Sequence, residues 1–327
     1  MKLISFLVTA YNLEEWMLKR CIESLIAQNM PATDYEIIVV DDGSEHSPEP
    51  VMREYPDAPI VFHRQHNGGP GAARNTALSL ASGRYCFFVD GDDFLFADSL
   101  SPLAGCLRSE MPDILQIEIR HVSEYTSGAC IPPPIRYKTY PSGAYYMLMN
   151  NLSGCNCLYL FKRHLVRQHT LRYPEEILHE DEEFITHLFL AAGKVIKTNY
   201  PVYAYWFRPD SIVNNPSPDQ VKRRIDDFLT VIAHLQQYER QTRPIGIRAK
   251  ALRRKICYMG VDFLLKTLRA DTADLWFEKS LPRLRELNLY PLPLRAEVSY
   301  FIFSQLIQWQ AGRRLLRSVD GRRSKKL

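Results

Sequence analysis

Asp90-Gly91-Asp92-Asp93 follows directly on the apolar run Phe87-Phe88-Val89, which sets three carboxylates at the end of a strand. Mg2+ and Mn2+ favour one or two carboxylates completed by substrate phosphates, and ligands of α/β domains sit in the crevice at the carboxyl ends of the strands. A metal-bridged nucleotide is therefore the first reading; a polar turn, for which Asp and Gly are common, is the other. Asp41-Asp42-Gly43-Ser44 closes a second apolar strand. Its acids could accept hydrogen bonds from a nucleobase or a ribose, with a hydroxyl from Thr9 and an aromatic face from Tyr11, although Asp-Gly-Ser is also good turn chemistry. Arg74 falls one helical turn after Gly71, where free backbone N–H groups and a guanidinium could meet a diphosphate. His179-Glu180-Asp181-Glu182-Glu183-Phe184 opens a helix with four acids. The helix dipole favours acids there in any case, and one carboxylate aimed into the crevice could take the proton of a sugar hydroxyl attacking an anomeric carbon.

These residues need a framework, and the first hundred residues supply one by alternating short apolar runs with amphipathic stretches, the pattern of βα units in a mostly parallel sheet. Residues 3–8, 36–40, 60–62 and 85–89 read as strands, and Leu115, Ile117 and Ile119 alternate as a further one. Leu18, Cys21, Ile22, Leu25 and Ile26 recur at helical spacing, and a helix rich in small residues is expected over 72–81, entered through the tight turn Gly68-Gly69-Pro70-Gly71. All the carboxylate loops could then share one edge. Residues 125–151, rich in Pro, Tyr and Ser, read as a long surface excursion that shapes a pocket. A strand near 157–161, the acidic helix and a strand pair over 194–206 follow, and past Pro216 the pattern turns helical, with Val221, Ile225, Phe228, Leu229, Ile232 and Leu235 on one stripe. The division expected is 1–215, with a nucleotide half 1–100 and an acceptor half 101–215, then a helical segment 216–327 with a basic tail.

Charge narrows the function classes. The net charge is +4, yet seven Lys and Arg lie past Gly312 against Asp320 alone, so the rest of the chain is slightly acidic and a globally basic nucleic-acid binder is not expected. Seven scattered cysteines, an odd number, read as thiols of a reducing compartment, and Cys155-Asn156-Cys157 lacks zinc-ligand spacing. The first eight residues read as a strand, not a signal peptide, and no apolar run reaches the roughly 18 residues needed to cross a membrane. Neither G-x-G-x-x-G nor G-x-x-x-x-G-K-[ST] is present, which argues against a dinucleotide oxidoreductase and a P-loop NTPase.

Together, Ser5 to Asn12, Tyr35 to Ser44, Asn67 to Asn75, Val89 to Asp93 and Glu180 to Phe184, in this order, resemble a family 2 glycosyltransferase with the GT-A fold over residues 3 to about 212. That resemblance implies an inverting transfer from a nucleoside diphosphate sugar, usually UDP-linked, assisted by Mn2+ or Mg2+. It implies that Asp92 binds the metal with Asp93 or Asp90 nearby, that Asp90 touches the ribose, and that Thr9, Tyr11 and Asp42 hold the uracil. Arg74 takes the diphosphate side and Asp181 is the base, with Glu180 its nearest rival. Tyr203 to Ile212, with Arg208-Pro209-Asp210-Ser211-Ile212, resembles a loop that closes over the donor. The Gln-x-x-Arg-Trp signature of processive synthases is absent, so single additions to a saccharide or lipid-linked glycan are expected, in surface polysaccharide assembly in a bacterial cytoplasm. A non-catalytic carbohydrate- or nucleotide-binding scaffold is the alternative, and a sugar nucleotidyltransferase would want a Gly-rich basic loop after the first strand. The helical end has no matching family segment. Tyr300-Phe301-Ile302-Phe303, Leu306, Ile307 and Trp309 with the basic tail read as a core or dimer helix, or as a stretch lying on an anionic membrane surface.

Overall fold

Short β-branched and aromatic runs bounded by polar residues form the strands of the computed structural model: Ile4–Ala10 (β1), Tyr35–Asp41 (β2), Ile60–Arg64 (β3), Tyr85–Asp90 (β4), Phe94–Leu95 (β5), Ile114–Val122 (β6), Tyr137–Tyr140 (β7), Tyr159–Lys162 (β8) and Val195–Trp206 (β9). The α-helices are Glu15–Ile26 (α1), Glu49–Arg53 (α2), Gly69–Leu80 (α3), Ser101–Ser109 (α4), Gly143–Met149 (α5), Arg163–Gln168 (α6), Glu180–Ala191 (α7), Pro218–Thr242 (α8), Gly246–Arg269 (α9), Ala273–Glu286 (α10) and Val298–Leu306 (α11). The structure describes residues 1–122, 133–207, 218–269, 273–290, 298–309 and 312–313. Two units emerge, one of Met1–Tyr146 with Ser153–Ser217 and one of Met147–Leu152 with Pro218–Leu327.

The strands of the first unit join one sheet in the order β3-β2-β1-β4-β8-β6-β9-β5, with β7 added to β9. β3, β2, β1 and β4 run parallel, so their carboxyl ends lie along one edge: Ala10 faces Asp41 and Thr9 faces Asp90 across the ladders. The carboxylate loops share this edge, as expected. Alternation sorts the side chains. Phe6, Val8, Phe87 and Val89 join Leu18, Cys21, Ile22 and Leu25 of α1 in one buried cluster. α3 lies on β1 and β2, with Ala73 and Ala77 buried, small residues that let helix and strand backbones approach.

Three expectations change. α3 begins at Gly69, because Pro70 suits the first turn of a helix, where its missing N–H costs nothing. The pair expected over 194–206 is one strand of 12 residues, Val195–Trp206: the Asn199-Tyr200-Pro201 turn signal is absorbed as register shifts against β6, and Asn199 Oδ1 accepts from Arg136 N at 2.8 Å. The excursion over 125–151 carries β7 and α5, whose Tyr140, Ala144, Tyr146 and Met147 are buried.

A buried carboxylate ties together the opposite ends of these strands. Glu36 accepts from Ser82 N at 2.6 Å, Ser82 Oγ at 2.7 Å, Gly83 N at 3.1 Å and Lys2 Nζ at 3.2 Å, and from Ser5 Oγ. Burial pushes its pKa up, but these hydrogen bonds outweigh it and hold the value at about 2. Glu36→Gln is therefore expected to cost about 2–4 kcal/mol in urea denaturation at pH 7, by leaving several buried donors mismatched. A carboxylate with a depressed folded pKa stabilises above its unfolded value and loses that contribution on acidification. The gap between variant and wild type should thus shrink as pH falls from 4.5 toward 2.

In the helical unit, Phe228, Leu229, Ile232 and Leu235 of α8 and Leu252, Ile256, Met259 and Phe263 of α9 are buried, and Phe228 stacks on Phe263 at 6.0 Å between centroids. Lys255 is buried with its Nζ on Leu152 O at 2.8 Å, and Arg254 donates to Met147 O and Asn150 O at 2.9 and 2.8 Å. Ile307 is buried, whereas Ile302, Leu306 and Trp309 are exposed. The tail past Arg313 lies outside the described residues. Among the described residues no helix is long and apolar enough to cross a membrane, and six cysteines carry free thiols.

Candidate active site

The loop after β4 owes its shape to a tyrosine far away in sequence. Tyr203 of β9 donates its hydroxyl to Asp93 Oδ2 at 2.6 Å and accepts from Asp90 N at 3.2 Å, while Trp206 N donates to Asp93 Oδ1 at 2.8 Å. Asp93 is only 2% exposed. Burial, then the charges of Asp90 and Asp92, push its pKa up to about 8 against the hydrogen bonds from Tyr203 and Trp206. The reading of Asp93 as a metal ligand gives way to that of a buried anchor for the turn. Asp92 and Asp90 are the loop's carboxylates with solvent access.

Asp42 is similarly committed. Its Oδ1 accepts from Gln65 Nε2 at 2.7 Å and Gly68 N at 3.0 Å, and its Oδ2 accepts from Gly69 N at 2.8 Å. The acid thus caps the amino end of α3, where the dipole favours it and where a diphosphate was expected. Asp41 is buried on Ser44 N at 3.1 Å, and Asn12, with φ of 47°, clasps the same loop through Ser44 Oγ and Glu45 N, both at 2.8 Å. Gly43 has φ of 75°, and a Cβ there would lie 2.7 Å from Asn67 N, so glycine is required. Thr9 is partly exposed at the end of β1, and Tyr11 beyond it is exposed, free to offer its ring.

Arg74, expected on a diphosphate, instead joins the two halves of the crevice. Its guanidinium pairs with Glu180 of α7 and lies 3.5 Å from Asp90 Oδ1, with Tyr173 beneath it at 5.8 Å. Its side chain is 13% exposed, and among the described residues its buried Nε meets no hydrogen-bond acceptor. The docking around it is close. Asn75 exchanges hydrogen bonds of 2.9 Å with both N and O of Tyr173, and a Cβ on Gly71 would come within 2.2 Å of Pro174 O. Tyr173 stacks on Phe184 of α7 at 3.9 Å. Cys157 Sγ adds a contact of 3.4 Å to Asp90 Oδ2.

Asp181 follows Glu180 on α7, whose cap His179 takes a left-handed conformation. Glu180 is buried and occupied by Arg74, whereas Asp181 is partly exposed. Burial, then the charges of Glu180 and Glu182, push the Asp181 pKa up to about 7, against Arg74. A carboxylate that titrates near neutrality with access to the crevice is suited to take a proton. Ile185, like Phe184 and Leu188, is buried, and α7 is partly open to solvent at Asp181, Glu182 and Glu183 in its first turn and at His187 and Ala191 further along.

Comparisons with known proteins give the family and the fold. Residues 5–164 match the family profile described as Glycosyl transferase family 2. These residues form a family 2 glycosyltransferase domain. The chain is 28% identical over 212 residues to the Poly(ribitol-phosphate) beta-glucosyltransferase of Bacillus spizizenii, an alignment covering 61% of this chain and 32% of that protein. It is 30% identical over 228 residues to the Uncharacterized glycosyltransferase EpsJ of Bacillus subtilis, covering 65% and 64%. The fold is similar to that of S. aureus TarS 1–349 solved in complex with UDP-GlcNAc, with a TM-score of 0.68 and 18% identity over 97% of this chain and 88% of that one. The framework is thus GT-A, with α-helices after the sheet as expected, and the chain spans about a third of the length of the first relatives it matches.

Sequence reasoning reached the strand ends and the acidic helix, and placed Asn75 and Tyr203 in matching segments, but not the contacts of these two, nor Tyr173 or Arg20. A buried tyrosine hydroxyl needs a partner, which marks Tyr203 as polar-paired without naming Asp93. Arg20 had a clearer signal, since it lies on the apolar face of α1. It is buried with its guanidinium 4.4 Å from the Trp206 ring, 4.8 Å from Phe94 and 5.3 Å from Trp16, and its Nη2 donates to Asp92 O at 2.6 Å. The Arg208 to Ile212 loop lies outside the described residues.

Proposed function

We propose that this domain transfers a sugar, with inversion, from a UDP-sugar to a hydroxyl of a polyol-phosphate or glycan acceptor in surface polysaccharide synthesis. The observation that carries the reading is Arg74 bridging Asp90 to Glu180 beside Asp181, which sets a donor-side carboxylate and a base near neutrality on one crevice. The Bacillus spizizenii relative acts on poly(ribitol-phosphate), and the similar TarS structure holds UDP-GlcNAc, which supports both choices.

Among the described residues no three His, Cys, Asp or Glu side chains form a protein-made metal cage. A cation carried largely by phosphates needs only one or two carboxylates, and Asp92 with Asp90 fits that demand, so these two would hold Mn2+ or Mg2+. When bound, such an ion offsets the negative charge on the diphosphate. The protein's own share is positional. Tyr203 and Asp93 fix the turn, Tyr11 and Thr9 face the base, and Asp181 accepts the proton of the acceptor hydroxyl as its oxygen attacks the anomeric carbon and the bond to the diphosphate breaks. No covalent sugar intermediate is required, which distinguishes this displacement from a retaining route.

Two tests follow. UDP release from UDP-sugars in the presence of polyol-phosphate or glycan acceptors should be acceptor-dependent and fall at least about 10²-fold in Asp92→Ala, the scale of losing one preorganised electrostatic contact. Equal turnover by Asp92→Ala takes Asp92 out of the metal site, and no turnover by any pairing favours the scaffold. Arg20→Leu removes the charged donor that orients Asp92 and is expected to raise the Mn2+ concentration for half-maximal turnover about 10-fold, measured by Mn2+ titration.

A further inference from the structure

The two longest helices, α8 and α9, meet in a tight reversal, Arg243-Pro244-Ile245-Gly246-Ile247-Arg248, with φ of 46° at Arg243 and 60° at Gly246. At its apex Ile245 is 86% exposed and Ile247 is 40% exposed. A single bare apolar residue is ordinary, but here two β-branched residues two positions apart are both exposed at the end of a helical hairpin, Ile245 almost wholly. Arg240, Arg243, Arg248 and Lys250 surround them, all exposed. No acidic residue occurs between 240 and 250. Glu239, at the border, is occupied by Arg253, and the cations further along α9, Arg254 and Lys255, are spent on backbone carbonyls. The positive charge at the tip is therefore not consumed by the fold.

Bare isoleucines ringed by cations fit one kind of partner. The apolar side chains can enter the boundary between headgroups and acyl chains while guanidinium and ammonium groups meet lipid phosphates. We propose that the α8–α9 tip is a peripheral docking site for an anionic lipid surface. A soluble polyanion would use the cations alone and gain nothing from the isoleucines, so the pairing of both favours lipid. Its residues, 240–250, are other than the stretch 300–309 and the basic tail for which membrane contact was anticipated from sequence, and the proposal does not depend on the proposed reaction.

The test is co-sedimentation of the full chain with vesicles of phosphatidylglycerol and phosphatidylcholine, and with phosphatidylcholine vesicles alone. Binding should require the anionic lipid and weaken with salt. Ile245→Ser/Ile247→Ser should lower it at least about 10-fold, and Arg243→Gln/Arg248→Gln by about 25-fold, each cation contributing about five-fold. Both pairs are exposed, so melting temperature and UDP binding should match wild type. Absence of vesicle binding by the full chain overturns the proposal. Wild-type binding by both variants overturns it too, because it moves the contact elsewhere, to the basic tail for example. Displacement by soluble polyphosphate, with the serine pair binding vesicles and polyphosphate as well as wild type, shows a polyanion site instead.

Discussion

Asp181→Asn will lower the turnover number by about 10² to 10⁴-fold, the range for loss of a general base, while leaving UDP binding intact. The amide keeps the shape and part of the polarity of the side chain but cannot take a proton, and the acceptor hydroxyl must then attack without deprotonation. The pH profile gives the finer check. With the Asp181 pKa pushed up to about 7 by burial and its acidic neighbours, wild-type kcat/KM should climb about ten-fold per pH unit below neutrality and level off above it. Stability should run the other way. A carboxylate whose folded pKa is raised stabilises most below its unfolded value and loses that contribution as pH rises toward the folded one. Asp181→Asn should accordingly melt higher than wild type above pH 7. Full transfer by the variant would identify a different base, with Glu182 and Glu183 the other accessible acids of the first turn of α7 and Glu180 paired with Arg74.

Arg74→Met should have the largest effect on stability. The side chains of Arg74 and Glu180 are 13% and 6% exposed, and removing one partner of a largely buried pair leaves the other charge stranded, at a cost of about 3–5 kcal/mol. Asp90 loses its cation in the same step. Because Arg74 holds the Asp181 pKa down, its removal should move the acidic limb of kcat/KM to higher pH. Adding Glu180→Gln to Arg74→Met should recover part of the lost stability, since the two share one interaction. Urea denaturation of the two single variants and the double one measures this directly. Independent, additive losses would show that the bridge has no energetic role.

Strand ends were legible because an apolar run stopping on Asp is a local signal. Thr9, Asp41, Asp90 and Asp181 accordingly fall at the crevice edge or the start of the acidic helix that the sequence pattern anticipates. What each carboxylate does was not legible, because its partner comes from far along the chain. Asp93 meets Tyr203 across 110 residues and Arg74 meets Glu180 across 106, and an aspartate reads the same in sequence whether it faces solvent or a buried hydroxyl. Asp42 shows the same limit on a shorter scale: its Asp-Gly-Ser turn is visible, but its bonds to Gln65, Gly68 and Gly69 need the parallel pairing of β2 with β3. Pro and Gly misled in both directions. Gly69-Pro70-Gly71 reads as a turn and is the first turn of α3, and Pro201 reads as a break and is a bulge within β9.

The arrangement also explains why several acids crowd one edge without repelling it open. Arg74 answers Asp90 and Glu180 on one side, while Arg20, enclosed by Trp16, Phe94 and Trp206, reaches the Asp92 backbone on the other. Each cation is held in place by aromatic rings, which can attract a guanidinium without competing for its N–H groups in the ring plane. Asp92 after β4 and Asp181 at the start of α7 both keep partial access to solvent, whereas Glu180 is buried against Arg74.

Calorimetric titration of UDP into the wild-type chain and Asp92→Ala, with and without Mn2+, tests the central claim most directly. The account predicts micromolar UDP binding that strengthens with Mn2+ in wild type and loses that Mn2+ dependence in Asp92→Ala. Absence of UDP binding under any condition, or binding equally tight in both proteins whether or not Mn2+ is added, would contradict it.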